Sequence, residues 1–177
     1  LCVYDVSMDQ ARRKEAFVRS NFERALAQHQ IVPYYQPVIG TLSGRTSGLE
    51  ALARWIDPEL GVIPPCDFIP YLEKMNVAYR LDLYLLEQVA QSLQSFKGYT
   101  PCRMFININL SQTDFVVCDM PTEIDKILKR YGIPADRIQF EITETALSDR
   151  FVLLHAIKGL EQRGYQVWVD DFGTGQS

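Results

Sequence analysis

Four side chains that can bind a hard metal cation stand at the ends of predicted strands: Glu50, Asn109, Glu141 and Asp170. Side chains alternate between the two faces of a strand, and the carboxyl ends of parallel strands meet at one edge of a sheet. We therefore expect these acids and the amide to converge. Two like charges about 5 Å apart repel by roughly 3 kcal/mol at an effective dielectric of about 20, so such a cluster indicates a bound cation.

The types of these side chains also indicate which cation and which reaction. Carboxylate and amide oxygens suit Mg²⁺ or Mn²⁺, whereas zinc prefers nitrogen and sulfur. The adjacent carboxylates of Asp170 and Asp171 could bridge one ion and hold a second. Paired hard cations stabilise the attacking and leaving oxygens in a displacement at a phosphate ester. Arg54, on the same predicted face as Glu50 and Leu52, adds a planar set of donors for a phosphate.

The same residues also have interpretations that involve no metal. A single acid at a strand end is usually a helix cap or a solvated loop residue, but four of them on successive strands favour metal binding. Glu144 can either support the site or begin a turn, and Gly173 and Gly175 can hold a phosphate or simply form a turn. The D-F-G triplet at 171–173 also occurs in protein kinases, but the sequence lacks the H-R-D and glycine-rich loops of that family.

The pattern of apolar residues predicts alternating strands and helices, which indicates βαβ units and a mainly parallel sheet in one α/β domain. Pro121 marks the first turn of a helix, and Gly98, Gly132 and Gly164 follow the last turns of helices. The predicted strands are 31–39, 46–55, 103–111, 137–144 and 165–171. The predicted helices are 8–30, 79–97, 121–131 and 149–163, with a short helical piece within 64–76.

The composition is that of a globular protein, with 47% hydrophobic and 23% charged residues. A formal net charge of −4 argues against binding to DNA or RNA polymers, which normally requires a basic face. The four cysteines are widely separated, which indicates free thiols in a reducing compartment. No apolar run is long enough to span a bilayer and no signal-peptide pattern is present, so we expect a cytoplasmic location, or the cytoplasmic side of a membrane if the parent protein carries an anchor.

Taken together, the motifs resemble the EAL domain, a bacterial family that hydrolyses the messenger cyclic di-GMP to the linear dinucleotide pGpG. They are E-A-L-A-R-W at 50–55 with Y-Q-P before it, N-L-S at 109–111, E-I-T-E at 141–144 and D-D-F-G-T-G at 170–175. The resemblance implies a modified (β/α)₈ TIM-type barrel with an antiparallel first strand, of which this chain holds about five of eight strands. Residues 22–177 are then the N-terminal portion of an EAL domain, and residues 1–21 a hinge or linker helix leading into it.

The resemblance also implies a role for each candidate residue. It implies two bound Mg²⁺ or Mn²⁺ ions, and catalytic roles for Glu50, Glu141, Asp170, Asp171 and Glu144. Glu144 would act by steadying the loop after the fifth of the family's strands. Gln36, Leu52 and Arg54 would contact the dinucleotide. The implied metal ligands are Glu50, Asn109, Glu141, Asp170 and Asp171.

The same resemblance suggests partners and alternatives. The stretch V-Y-D-V-S-M-D-Q at 3–10 resembles the hinge that joins a GGDEF domain to an EAL domain, so we expect an upstream GGDEF domain. A homodimer is one of the oligomeric states that the resemblance allows. The family continues with three strands that carry a lysine and a further glutamate, so we expect this chain alone to be an inefficient or inactive enzyme. The alternatives are a non-catalytic receptor for cyclic di-GMP and a regulatory module bound to a GGDEF partner.

Overall fold

Three stretches of the chain, residues 6–95, 104–143 and 150–170, are described by the computed structural model. They form one sheet with helices packed against it. The strands are β1 Ile31–Ile39, β2 Thr46–Asp57, β3 Gly61–Ile63, β4 Phe105–Leu110, β5 Ile138–Thr143 and β6 Gln166–Asp170. The helices are α1 Val6–Ala27, α2 Ile69–Lys74, α3 Ala78–Ser95, α4 Asp114–Val117, α5 Met120–Tyr131 and α6 Arg150–Glu161. Short 3₁₀ turns lie at Pro65–Asp67 and Ala135–Arg137.

The sheet has the order β1-β2-β4-β5-β6, and β3 pairs with β2 outside this path. β1 runs antiparallel to β2, whereas β2, β4, β5 and β6 are parallel to one another. The predicted α/β class and the antiparallel first strand are thereby confirmed. None of the helices in the described ranges is long and apolar enough to cross a membrane.

Two short elements were not predicted. β3 has only three residues and forms a hairpin with β2, closed by the Asp57 side chain, which accepts hydrogen bonds from the backbone amides of Glu59 and Leu60, both at 2.9 Å. α4 has only four residues and follows β4 directly. Both are too short to show a period in the sequence. Within the described residues they raise the number of strands from the predicted five to six, and they add a helix that begins three residues after Ser111.

Helix ends differ slightly from the prediction for a local reason. The first helix was expected to reach residue 30, but α1 ends at Ala27 because His29 adopts the left-handed conformation, with φ of 53°. That conformation terminates helices and lets the Gln30 amide bond back to the Ala25 carbonyl at 2.9 Å. By contrast, α5 matches its proline and glycine signals, since Gly132 caps it with φ of 61°.

The sheet is apolar on the face that the helices cover. Along β4 every second side chain is buried there, namely Ile106, Ile108 and Leu110. Phe140 of β5 lies on the same side and is 0% exposed. A second cluster holds α1 against β2 and α2 around Trp55, whose ring meets Phe68 edge-on with centroids 5.7 Å apart. Helix packing on one face therefore leaves the alternate residues of the central strands directed to the other face.

Candidate functional site

The face opposite the helices carries the polar residues of the central strands. Asn107 and Asn109 occupy it on β4, and Gln139 and Glu141 occupy it on β5, all of them half-buried. Glu50 of β2 is the register partner of Asn107, and Asn109 is the register partner of Glu141. Three adjacent strands thus bring amides and carboxylates to the same part of one face.

Hydrogen bonds connect these side chains in two crossed pairs. The Asn109 Nδ2 donates to Glu50 Oε1 at 2.9 Å, and the Asn107 Nδ2 donates to Glu141 Oε2. We call Glu50, Asn107, Asn109 and Glu141 the carboxylate–amide cluster. The expected convergence of Glu50, Asn109 and Glu141 is therefore observed.

The position of Glu50 in its strand differs from the expectation. Glu50 was expected at the end of the second strand, but β2 continues to Asp57 because it goes on pairing with β1 and β3. Its pairing with β4, however, ends one residue after Glu50, at Ala51 opposite Ile108. Glu50 is consequently near the end of the parallel part of the sheet, which is where the other members of the cluster lie.

The predicted substrate-binding residues flank this cluster on β1 and β2. Gln36 is exposed and lies directly across from Glu50 in the antiparallel pair. Leu52 and Arg54 follow Glu50 on the same face at successive alternate positions. The guanidinium of Arg54 donates to the Ala53 carbonyl at 2.8 Å and lies 5.8 Å from the centre of the Tyr34 ring. Arg54 is therefore held four residues beyond Glu50 along the same face of β2, rather than beside it.

Three predicted acids are only partly covered by the described residues. Asp170 is the last residue of β6 and pairs with Thr143 of β5. This pair lies two residues further along the strands than the pair of Glu141 with Trp168. The Asp170 backbone thus reaches the cluster's end of the sheet, whereas its side chain lies outside the described atoms. Glu144 and Asp171 lie outside the described residues altogether, so their assigned roles remain predictions.

The sequence reasoning missed Asn107, Trp168 and Tyr34. Asn107 shares a face with Asn109 by strand alternation, so the N-x-N spacing was an available signal. Trp168 is 60% exposed and pairs in register with Glu141, which places an indole beside the cluster.

Gly48 and Phe105 close the opposite end of this face, because a Cβ on Gly48 would lie 2.5 Å from the Phe105 ring.

The donor set of the cluster fits a hard divalent cation. It offers two carboxylates and two amide oxygens, and the buried Asn107 Oδ1 has no hydrogen-bond partner among the described residues. Leaving such an atom unsatisfied costs about 1–3 kcal/mol, which a cation or a bound donor would offset. Within the described residues no group of three or more His, Cys, Asp or Glu side chains is placed to hold a metal. The cluster supplies only two carboxylates, and the further carboxylates that the sequence predicts for a metal site, those of Asp170 and Asp171, remain predictions.

Known proteins are similar to this chain in sequence. Cyclic di-GMP phosphodiesterase PdeR of Escherichia coli (strain K12) is 32% identical over 177 residues, which cover 99% of this chain and 26% of PdeR. The bifunctional diguanylate cyclase/cyclic di-GMP phosphodiesterase MucR of Pseudomonas aeruginosa is 28% identical, again over 99% of this chain and 26% of that protein. The chain therefore spans about a quarter of the length of these relatives.

Structure and family comparisons agree with this likeness. The PaMucR phosphodiesterase in its cyclic di-GMP complex superimposes with a TM-score of 0.81 and 28% identity, covering 90% of this chain and 65% of that one. The model of the EAL domain family matches residues 19–177. The resemblance seen in the sequence motifs is confirmed, and the chain belongs to the EAL domain family.

Proposed function

We propose that this EAL domain hydrolyses cyclic di-GMP to pGpG in a phosphodiester cleavage that depends on a divalent metal. The observation that carries the proposal is the carboxylate–amide cluster, in which Glu50 and Glu141 from separate strands meet two amides. Relatives named as cyclic di-GMP phosphodiesterases, and a structural neighbour solved with cyclic di-GMP, support the choice of substrate.

The ions would be held by Glu50, Asn109 and Glu141 together with Asp170 and Asp171. When bound, two Mg²⁺ or Mn²⁺ ions supply positive charge to the phosphate and acidify a water molecule. An asparagine amide can present its oxygen instead of its nitrogen after a half-turn of the side chain, so Asn109 can face either Glu50 or a cation. Glu144 would support the loop that follows β5.

Asn107 would orient the Glu141 carboxylate through the hydrogen bond from its Nδ2 to Oε2. Partners of this kind fix the direction of a metal-binding side chain, and their loss typically costs 10–100-fold in metal affinity. Asn107 is therefore a positioning residue in this proposal rather than a catalytic one.

The dinucleotide would lie along β1 and β2, next to the cluster. Gln36 offers a hydrogen-bonding amide opposite Glu50, and Leu52 offers an apolar contact on the same face. Arg54 would bind a phosphate, since its planar guanidinium matches the geometry of phosphate oxygens. Its position over the Tyr34 ring limits the freedom of the guanidinium before the ligand binds.

The wider setting of the domain also remains a proposal. An upstream GGDEF domain is supported by the hinge-like sequence at 3–10 and by the relative that is both a diguanylate cyclase and a phosphodiesterase. α1 runs without a break through the expected boundary between residues 21 and 22, and the division there stays a prediction. A homodimer and a cytoplasmic location stay predictions as well.

The test is a hydrolysis assay on the full-length protein with cyclic di-GMP, in which pGpG is separated and quantified. We expect turnover with Mg²⁺ or Mn²⁺ and its loss on chelation. Glu50→Gln should reduce turnover about 100-fold or more, whereas Glu59→Gln, an exposed glutamate in the turn between β2 and β3, should leave it unchanged.

Three results would contradict the proposal. Turnover that survives both chelation and Glu50→Gln would exclude the metal role of the cluster. A folded protein that binds cyclic di-GMP in calorimetry but releases no pGpG would instead be a receptor, and a protein that does neither would be a regulatory module.

A further inference from the structure

Two aspartates that no part of the proposed reaction uses are packed together behind the end of β4. Asp114, the first residue of α4, is 1% exposed, and neither of its carboxylate oxygens accepts a hydrogen bond from a donor group within the described residues. Its neighbour is Asp82 of α3, and the two carboxyl groups are close enough to form a hydrogen bond with each other. Because a carboxylate has no proton to donate, this contact requires that one of the two be protonated. We call Asp82 and Asp114 the acid pair.

The surroundings of the acid pair favour the retention of that proton. Burial, and after it the negative charge of Asp82, raise the pKa of Asp114 to about 10. Burial also raises the pKa of Asp82, to about 6, while its hydrogen bonds to Asp114 and to the Ser111 backbone act in the opposite direction. Glu73 of α2 is the third acid that faces the pair, and its negative charge raises both pKa values.

Hydrogen bonds link the acid pair to Ser111, which follows β4. The Ser111 backbone amide donates to Asp82 Oδ2 at 3.1 Å, and the Asp114 amide donates to the Ser111 carbonyl at 3.1 Å. The Ser111 hydroxyl donates to Glu73 Oε1 at 2.8 Å and contacts the Thr113 hydroxyl at 2.9 Å. Residues of three helices thereby hold the backbone and side chain of one serine.

Ser111 is two residues beyond Asn109, and Leu110 between them is 2% exposed. The end of β4 is therefore fixed by the Leu110 side chain, which is buried in the core, and by the hydrogen bonds of Ser111. Asn109 directly precedes these two anchors, with its Nδ2 2.9 Å from Glu50 Oε1. A shift of the chain at Ser111 would move Asn109 away from the other members of the carboxylate–amide cluster.

We propose that the acid pair, by sharing one proton, positions the end of β4 and thereby sets the Asn109 side chain for metal binding. The clause on metal binding rests on the function proposed above, whereas the positioning of Ser111 does not. Asp82, Asp114 and Glu73 are positioning residues in this proposal, because they act on Asn109 only through Ser111.

The test compares three variants of the full-length protein by Mn²⁺ binding in calorimetry and by hydrogen exchange of the segment 105–118. Asp114→Asn keeps a donor for Asp82, so at a single pH near 7 we expect exchange at Ser111 close to that of the wild type and Mn²⁺ affinity within about 2-fold of wild type. Asp114→Leu fills the same space without a hydrogen bond and should weaken Mn²⁺ binding about 10-fold or more and speed exchange at Ser111. Asp136→Asn, which changes an exposed aspartate, is the matched control.

Ser111→Ala provides a second, milder variant if Asp114→Leu does not fold. It removes only the hydroxyl contacts and should weaken Mn²⁺ binding about 3- to 10-fold, with a normal melting temperature. Unchanged exchange and unchanged Mn²⁺ affinity in Ser111→Ala, and in any Asp114→Leu protein that folds, would overturn the inference.

Glu50→Gln separates this inference from the proposed function. If Glu50→Gln loses Mn²⁺ binding while the Asp114 and Ser111 variants keep it, the metal site stands and the inference is wrong. If Glu50→Gln keeps Mn²⁺ binding, the proposed function is wrong. In that case faster exchange at Ser111 in Asp114→Leu supports the positioning of β4, and unchanged exchange contradicts it.

Discussion

Replacing Asp114 by asparagine is expected to flatten the dependence of the domain's stability on pH. In the folded chain the pKa of Asp114 is raised to about 10, whereas an aspartate in an unfolded chain has a pKa of about 3.9. Above about pH 4 the folded state therefore holds a proton that the unfolded state has released. The resulting stabilisation is fully present below the unfolded pKa and is lost as the pH rises towards the folded value.

The size of the effect follows from the number of protons and not from the exact pKa. One additional proton in the folded state lowers the free energy of unfolding by about 1.4 kcal/mol for each pH unit. Between pH 6.5 and 8.5 the pair carries one such proton, since the pKa of Asp82 is about 6 and that of Asp114 about 10. We therefore expect the loss of this stabilisation to lower the free energy of unfolding of the wild-type domain by about 3 kcal/mol over that interval.

The assay is native-state hydrogen exchange of buried amides in β4 at several pH values, after correction for the intrinsic exchange rate of each amide. The free energy of opening should fall with pH in the wild type and in the control Asp136→Asn, and it should be nearly level in Asp114→Asn. Equal slopes in Asp114→Asn and in the wild type would refute the reasoning, because they would mean that no proton is shared at Asp114.

Three further changes test the site and the core. Asn107→Ala should weaken Mn²⁺ binding 10- to 100-fold by releasing the Glu141 carboxylate, measured by calorimetry, and unchanged binding would exclude the positioning role. Arg54→Lys should raise KM for cyclic di-GMP about tenfold with kcat unchanged, because lysine keeps the charge but loses the planar donors; a steady-state assay in which only kcat falls would contradict this. Phe140→Ala should lower the free energy of unfolding by about 3–5 kcal/mol in urea titrations, because Phe140 is 0% exposed. Leu42→Ala, at an exposed residue, should change it by less than about 0.5 kcal/mol.

The sequence predicted the strands and long helices because their apolar residues repeat over many positions. Helix α5 shows this most clearly, since Pro121 lies in its first turn and Gly132 caps its end as expected. The three residues of β3 and the four of α4 are too few to show a period. Their structure depends on contacts, such as those of the Asp57 carboxylate, that a local pattern does not contain.

The candidate site was predictable in its residue types and only partly in its contacts. Strand alternation placed Glu50 and Glu141 on one face, which the structure confirms. The contact of Asn107 with Glu141 depends on the register between β4 and β5, and a register is set by the packing of whole strands. The acid pair was missed for a similar reason, because Asp82 and Asp114 meet only after α3 and α4 have packed behind β4.

The placement of the two amides on β4 is fixed by the core more than by their own hydrogen bonds. A slip of one residue would expose Ile106, Ile108 and Leu110 and would turn Asn107 and Asn109 towards the helices. Exposing the three apolar side chains would cost about 1.5–3 kcal/mol each, or about 5–9 kcal/mol together. That is comparable with the whole stability of a typical domain, which is about 5–15 kcal/mol. The amides therefore do not need strong mutual contacts to keep their positions, and they can exchange their present hydrogen bonds for a cation without loss of the fold.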